Sequence, residues 1–204
     1  YYDFPIFDAC AEPFEFFKHY DSEANTISIA YKYGEDEHQK LLAQFQKAAD
    51  EMLATVTPDM SDVEKAKNIY HALCTRMAYD DSALEDLERK DSYYAYLHNS
   101  GVCITFANVY NQLLTQVGIK TTLATCDYDA TMGHAWSVVT LGGEDYFCDP
   151  TFELPYDNGS GYVYFGMNYA DRTKDGIGTG GIRAGKYFTY TVLPEMIAAR
   201  SLNP

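Results

Sequence analysis

The chain has 204 residues, 47% of them hydrophobic, enough to bury one good core and to favour a single domain. Thirty acidic against 15 basic residues leave a net charge of −15, which repels phosphate backbones and anionic lipid surfaces and argues against a nucleic-acid partner. No apolar run approaches the roughly 18 residues of a membrane span, so no membrane insertion of this segment is expected.

From Tyr1 to Ala24 aromatic residues occur without clean periodicity, which predicts an irregular arm laid across the core. Thr26 to Tyr33 alternates as a strand does and ends at Gly34, so residues 1–34 are expected to pack on a core formed by 35–204. Leu41, Phe45, Ala48, Met52 and Val56 fall on one helical face behind the acidic run Glu35, Asp36 and Glu37. Beyond Pro58, Ser61 and Glu64 form a capping box that opens a second helix with Ala66, Ile69, Tyr70, Leu73 and Met77 on its apolar face. A shorter helical pattern runs from Ser82 to Lys90, Ser92 to Leu97 is locally ambiguous, and a loop is expected from His98.

Ile104, Phe106, Val109, Tyr110, Leu113, Leu114 and Val117 then make an apolar stripe at helical spacing, closed by Gly118. The period next changes to two. Ile119 to Cys126, His134 to Leu141 and Asp145 to Cys148 read as strands, the last two joined by Gly142-Gly143. Helices followed by an antiparallel sheet make an α+β fold. In the tail, Gly161 to Gly166 and Gly185 to Val192 are candidate strands, Asp171 to Gly185 a glycine-rich loop, and Leu193 to Leu202 a terminal helical turn after Pro194.

Three segments carry candidate chemistry. Cys103, at the start of the helix after Gly101-Val102, offers a thiol at the positive end of a helix dipole, where thiolate is favoured. His134 and Asp149 offer an imidazole and a carboxylate, which with a thiol complete the set that nucleophilic acyl transfer requires. Hairpin parity connects the last two. With a two-residue loop at Gly142-Gly143, Leu141 pairs with Glu144, His134 faces Thr151, and Asp149 lies diagonally on the same side of the sheet. Trp136, on that same face, either shields the pair from water or lines an acyl-binding cleft. The backbone N–H of Cys103 is the first oxyanion donor expected, with a side-chain donor from Tyr94, Tyr96, His98 or Asn99.

Other signals lead elsewhere. The five cysteines, Cys10, Cys74, Cys103, Cys126 and Cys148, show no zinc-ligand spacing; apart from Cys103 they are expected as small core residues, with disulfide pairing left open. Gly176 to Gly181 fits a dinucleotide-binding glycine pattern, but no strand-helix-strand unit surrounds it, so it reads as a loop. No metal or cofactor is expected. The 19 tyrosines, the acidic balance and a chain starting at Tyr1 rather than Met suggest export, to the outside or surface of a bacterial cell, and leave open whether a targeting segment was removed ahead of Tyr1.

Gly-Val-Cys-Ile-Thr-Phe-Ala at 101–107, Val117-Gly118-Ile119, Gly133-His134-Ala135-Trp136 and Tyr146-Phe-Cys-Asp149-Pro150-Thr151 together resemble the transglutaminase-like core, over about residues 66–151. The resemblance implies a papain-like α+β fold in which a nucleophile helix packs on an antiparallel sheet, with Cys103, His134 and Asp149 as the catalytic triad. Thr105 departs from it, because a glycine commonly stands two residues after the cysteine; its side chain is expected to narrow the cleft. The function expected is amide acyl transfer or hydrolysis on a peptide or protein through a thioester. The alternative is a catalytically silent binding or cell-surface assembly module with the same fold.

Overall fold

The computed structural model describes residues 20–21, 23–27, 34–85, 92–127, 133–185 and 189–203. Two-residue strands β1 (Tyr20–Asp21) and β2 (Thr26–Ile27) form a small hairpin of their own. The rest of the strand expected at 26–33, and the expected arm up to residue 19, lie outside the described residues.

Helix α1 (Glu35–Leu53) has its three acidic residues in the first turn and buries Phe45, Ala48, Ala49 and Met52. It stops before Val56, so the last residue of the expected stripe lies outside it. Helix α2 (Asp62–Arg76) opens on the predicted capping box: Ser61 Oγ accepts from the Glu64 N–H at 3.3 Å, and the Glu64 carboxylate accepts from the Ser61 N–H at 2.8 Å. The pattern expected from Ser82 to Lys90 gives a single 3₁₀ turn at Asp81–Glu85, its remainder lying outside the described residues. The ambiguous stretch after it is helix α3 (Ser92–His98), anchored by buried Ala95 and Tyr96 and ended by Asn99 at φ 54°. Parallel pairing of β3 (Ala78–Tyr79) with β4 (Ser100–Gly101) leads into helix α4 (Cys103–Gln116).

The sheet contains β5 (Thr121–Asp127), β6 (Gly133–Leu141), β7 (Glu144–Cys148), β8 (Ile182–Ala184) and β9 (Tyr190–Val192), in the order β7-β6-β5-β8-β9 and antiparallel throughout. Gly142 and Gly143, at φ 62° and 89°, form the two-residue turn, and Leu141 opposes Glu144 as predicted. Alternation sorts the residues onto two faces. Val139, Leu141, Tyr146 and Cys148 join Phe106, Val109, Tyr110 and Leu113 of α4 in the main core. Ala124, Cys126, Trp136, Val138 and Phe147 face the other way, under Met167, Ile177 and Ile197 of the tail. The fold is α+β, with helices on one face of a mostly consecutive antiparallel sheet.

The ladder between β6 and β7 ends at Ser137 and Cys148, and the chain then turns into helix α5 (Pro150–Glu153). Proline cannot donate to the ladder, and at the first helical position its fixed φ suits a helix instead. Thr151 therefore sits in a helix and does not face His134 across the sheet. The tail also differs from expectation. Residues 161–166 form turns and bends rather than a strand, and an isolated bridge follows them, between Met167 and Phe147. Helix α6 (Tyr169–Thr173) runs into the stretch expected to be loop and strand β8 lies within it, because each is too short to show a period. Of the described residues in the expected strand at 185–192, those at 190–192 are strand, residues 186–188 lying outside the described residues, and the terminal turn at Pro194 is a 3₁₀ turn of three residues.

Candidate active site

Cys103 is the first residue of α4, following Val102 in extended backbone, and its half-buried thiol is free. Thr105 explains why that turn is packed so closely. It is fully buried, its Oγ1 accepts from the Val102 N–H at 3.3 Å, and a Cβ added to Gly101 would come within 2.7 Å of its side chain. Thr105 thus fills the space left by the missing side chain of Gly101. It does not narrow a cleft beside the nucleophile, contrary to the sequence expectation.

His134 and Asp149 meet as the parity argument requires, with Nε2 and Oδ2 2.7 Å apart and both side chains buried. Asp149 is the N-cap of α5, which accounts for its other oxygen: Oδ1 accepts from Thr151 Oγ1 at 2.7 Å and from the Phe152 N–H at 3.2 Å. The Asp-Pro-Thr sequence carries that capping signal. Tyr70 from α2 fixes the same junction by donating to the Asp149 carbonyl at 2.8 Å. It also lies 3.4 Å from the buried Glu153, whose carboxylate accepts the Tyr164 N–H at 2.6 Å.

The thiol of Cys103 is hydrogen-bonded to the His134 side chain, although α4 packs on the opposite face of the sheet. Contact is made near the start of β6, where the helix N-terminus reaches the end of the strand. Burial alone lowers the imidazole pKa, but attraction and hydrogen bonding from Asp149, reinforced by Cys103, overcome it and raise His134 to about 9. Burial alone would likewise raise the Asp149 carboxyl, yet its contacts with His134, Arg172 and Thr151 hold it below the ordinary carboxylate value.

Aromatic rings enclose the imidazole. Phe152 stacks on it at 4.4 Å and Trp136 lies at 5.6 Å, both nearly parallel to the ring. Trp136 is 0% exposed, so of its two expected roles it takes the shielding one and lines no open cleft. On Trp136 rests a residue that the sequence did not mark: Arg172 of α6, also 0% exposed, with its guanidinium carbon 4.3 Å from the indole centroid. Its Nη2 donates to Asp149 Oδ2 at 3.1 Å, across 23 residues of chain that carry no spacing signal.

The expected oxyanion donors lie elsewhere. Tyr96 is buried in the main core, 4.3 Å from Phe45. Tyr94 and His98 stack on each other at 4.0 Å, and Asn99 Oδ1 accepts from Arg76 Nε at 2.6 Å. Tyr79, by contrast, reaches the backbone of Cys103. Its strand pairs with Gly101, its ring stacks on Phe106, and its hydroxyl accepts the backbone N–H of Cys103. Burial, helped by the nearby thiol, pushes the phenol up to about 12, so it remains a hydrogen-bond donor at neutral pH. The expected donors all lie within the ten residues before Cys103, whereas parallel strand pairing brings the Tyr79 hydroxyl to its amide from 24 residues upstream.

The remaining described cysteines, Cys74, Cys126 and Cys148, are buried free thiols, as expected of core residues. Burial pushes the Cys148 thiol up to about 12 and raises Cys74 and Cys126 as well. Cys10 lies outside the described residues. No described helix is long and apolar enough to cross a membrane.

Residues 46–150 match the family model for the transglutaminase-like superfamily. No curated protein matches the chain. Among solved structures, it is similar to one titled a TGase, at 14% identity and TM-score 0.48, with 59% of this chain and 34% of that chain covered. It is also similar to a candidate cysteine protease from Cytophaga hutchinsonii, at 17% identity and TM-score 0.43, with 62% and 46% covered. A third likeness, to a candidate protease from Parabacteroides distasonis, has 15% identity and TM-score 0.41, with 62% and 29% covered. The chain therefore spans between 29% and 46% of the length of these proteins.

Proposed function

The chain belongs to the transglutaminase-like superfamily, and we propose that it is a thiol-dependent acyltransferase or hydrolase acting on an amide in a peptide or protein. Cys103 is the nucleophile, His134 the acid and base, and Asp149 the group that orients the imidazole. One observation carries this reading: a buried imidazole 2.7 Å from a carboxylate and also in hydrogen-bonding contact with a thiol at a helix start.

The sulfur attacks the amide carbonyl while the thiol's proton resides on His134. The oxyanion accepts hydrogen bonds from the Cys103 N–H and the Tyr79 hydroxyl, which contact each other in the resting site. As the C–N bond breaks, the imidazolium gives its proton to the departing amine, leaving a thioester and neutral His134. Water or an amine then attacks the thioester, its proton passes to His134, and the sulfur leaves.

Iodoacetamide labelling between pH 5 and 7 tests the reading. Cys103 should be alkylated much faster than the other thiols, and His134→Ala should abolish the advantage. Labelling of Cys103 at the rate of an ordinary free thiol would support the silent binding module instead.

A further inference from the structure

Arg172 places a permanent positive charge inside the same shielded pocket as the His134–Asp149 pair. Its Nη2 shares Asp149 Oδ2 with the imidazole, and its Nη1 lies 3.4 Å from Asp175 at the protein surface. Trp136 fixes the plane of the guanidinium from one side, and Phe152 lies 5.3 Å away. Among the described residues, the other titratable groups that feel it are Cys126 on β5 and the Tyr164 hydroxyl, which is 3.4 Å from Asp175. Among the described residues, the charged or titratable groups around the imidazole are Asp149 and Cys103, with Tyr79 beside the thiol and Cys126 against the His134 backbone.

Building on the triad reading, we infer that Arg172 is a positioning residue that keeps the buried site electrically neutral through the reaction and limits how tightly His134 holds its proton. With the Cys103 proton on His134, as the triad reading has it, thiolate, imidazolium, carboxylate and guanidinium cancel. In the thioester the sulfur and imidazole are both uncharged, and Asp149 and Arg172 still cancel each other. Without the guanidinium, both stages would leave a net negative charge in a pocket where an uncompensated ion is costly. The Asp149 oxygen that faces His134 also divides its attraction between two cations. Given wholly to the imidazole, it would bind that proton more firmly and slow its transfer to the leaving amine.

The pH profile of Cys103 alkylation tests this. Its alkaline limb reports loss of the imidazolium. In Arg172→Met that limb should move up by about one pH unit, and thioester resolution at neutral pH, followed after a burst with p-nitrophenyl acetate, should slow roughly tenfold. Arg172→Lys, which keeps the charge, should return the limb close to its wild-type position. Asp175→Asn, a change at the surface, leaves the guanidinium more fully to Asp149 and should move the limb down by a few tenths of a unit; it carries the test if Arg172→Met does not fold. An unmoved limb in folded Arg172→Met, or in Asp175→Asn where that variant alone is available, overturns the inference and leaves Arg172 a purely structural ion. Absence of fast alkylation in the wild type would instead sink the triad reading itself.

Discussion

Gly101→Ala probes the packing that seats the nucleophile. The Gly101 backbone lies outside the left-handed region, so the penalty of an alanine comes from what its methyl meets. It meets Thr105, with Cβ and Cγ2 at 2.7 Å and Oγ1 at 3.0 Å, on a fully buried β-branched residue. A β-branched side chain has little freedom to rotate away inside a helix, so the first turn of α4 must shift, at a cost of about 1–3 kcal/mol. Thr105→Gly loses the bond to the Val102 N–H, a buried methyl and some helix preference, together about 2–3 kcal/mol. In the double variant the new methyl enters the space that Thr105 vacated. The pair should then cost about 1–2 kcal/mol less than the two changes summed. Urea unfolding of wild type, both single variants and the double gives this coupling directly. Because Cys103 lies between the two positions, its alkylation rate should fall in Gly101→Ala and recover in the double. Stabilities that add within about 0.3 kcal/mol would refute the packing argument.

Tyr79→Phe keeps the ring on Phe106 but removes the hydroxyl beside the Cys103 amide. Acylation by an activated ester should slow by roughly 10²-fold while iodoacetamide still labels Cys103 rapidly; unchanged acylation would remove Tyr79 from the oxyanion site. The His134–Asp149 pair should also make stability depend on pH in two windows. His134 has its pKa raised from 6.5 to about 9 by folding, so its contribution, on the order of 3 kcal/mol, is complete below pH 6.5 and disappears as the pH rises to 9. Asp149 is shifted the opposite way, so its contribution holds above its ordinary value of 3.8 and fades as the pH falls through its lower folded value. Urea midpoints measured from pH 3 to 10 read both windows, and a flat profile from 6.5 to 9 would contradict the buried pair.

Local chemistry made much of this protein legible. The capping box at Ser61, the apolar stripe of α4 and the Gly142-Gly143 turn each act within a few residues, and they produced α2, α4 and the β6–β7 register as read. That register was enough to bring Asp149 to His134, because side-chain parity on paired strands follows from the turn alone. It went wrong one step further on, at Thr151, where Pro150 takes the chain out of the sheet.

What the sequence determined by itself was therefore the fold class and the three groups that could react. Tertiary structure decided what surrounds them. Strand pairing over 22 residues set Tyr79 on the Cys103 amide, and the tail set Arg172 against Asp149, Trp136 and Phe152. It also sent Tyr96 and Thr105 into the core, although both stand near the nucleophile in sequence. The division has a physical origin. Helix caps, turns and side-chain parity are set by neighbours along the chain, whereas burial, ion pairing and the proton affinity of His134 depend on groups that become neighbours only when the chain is folded.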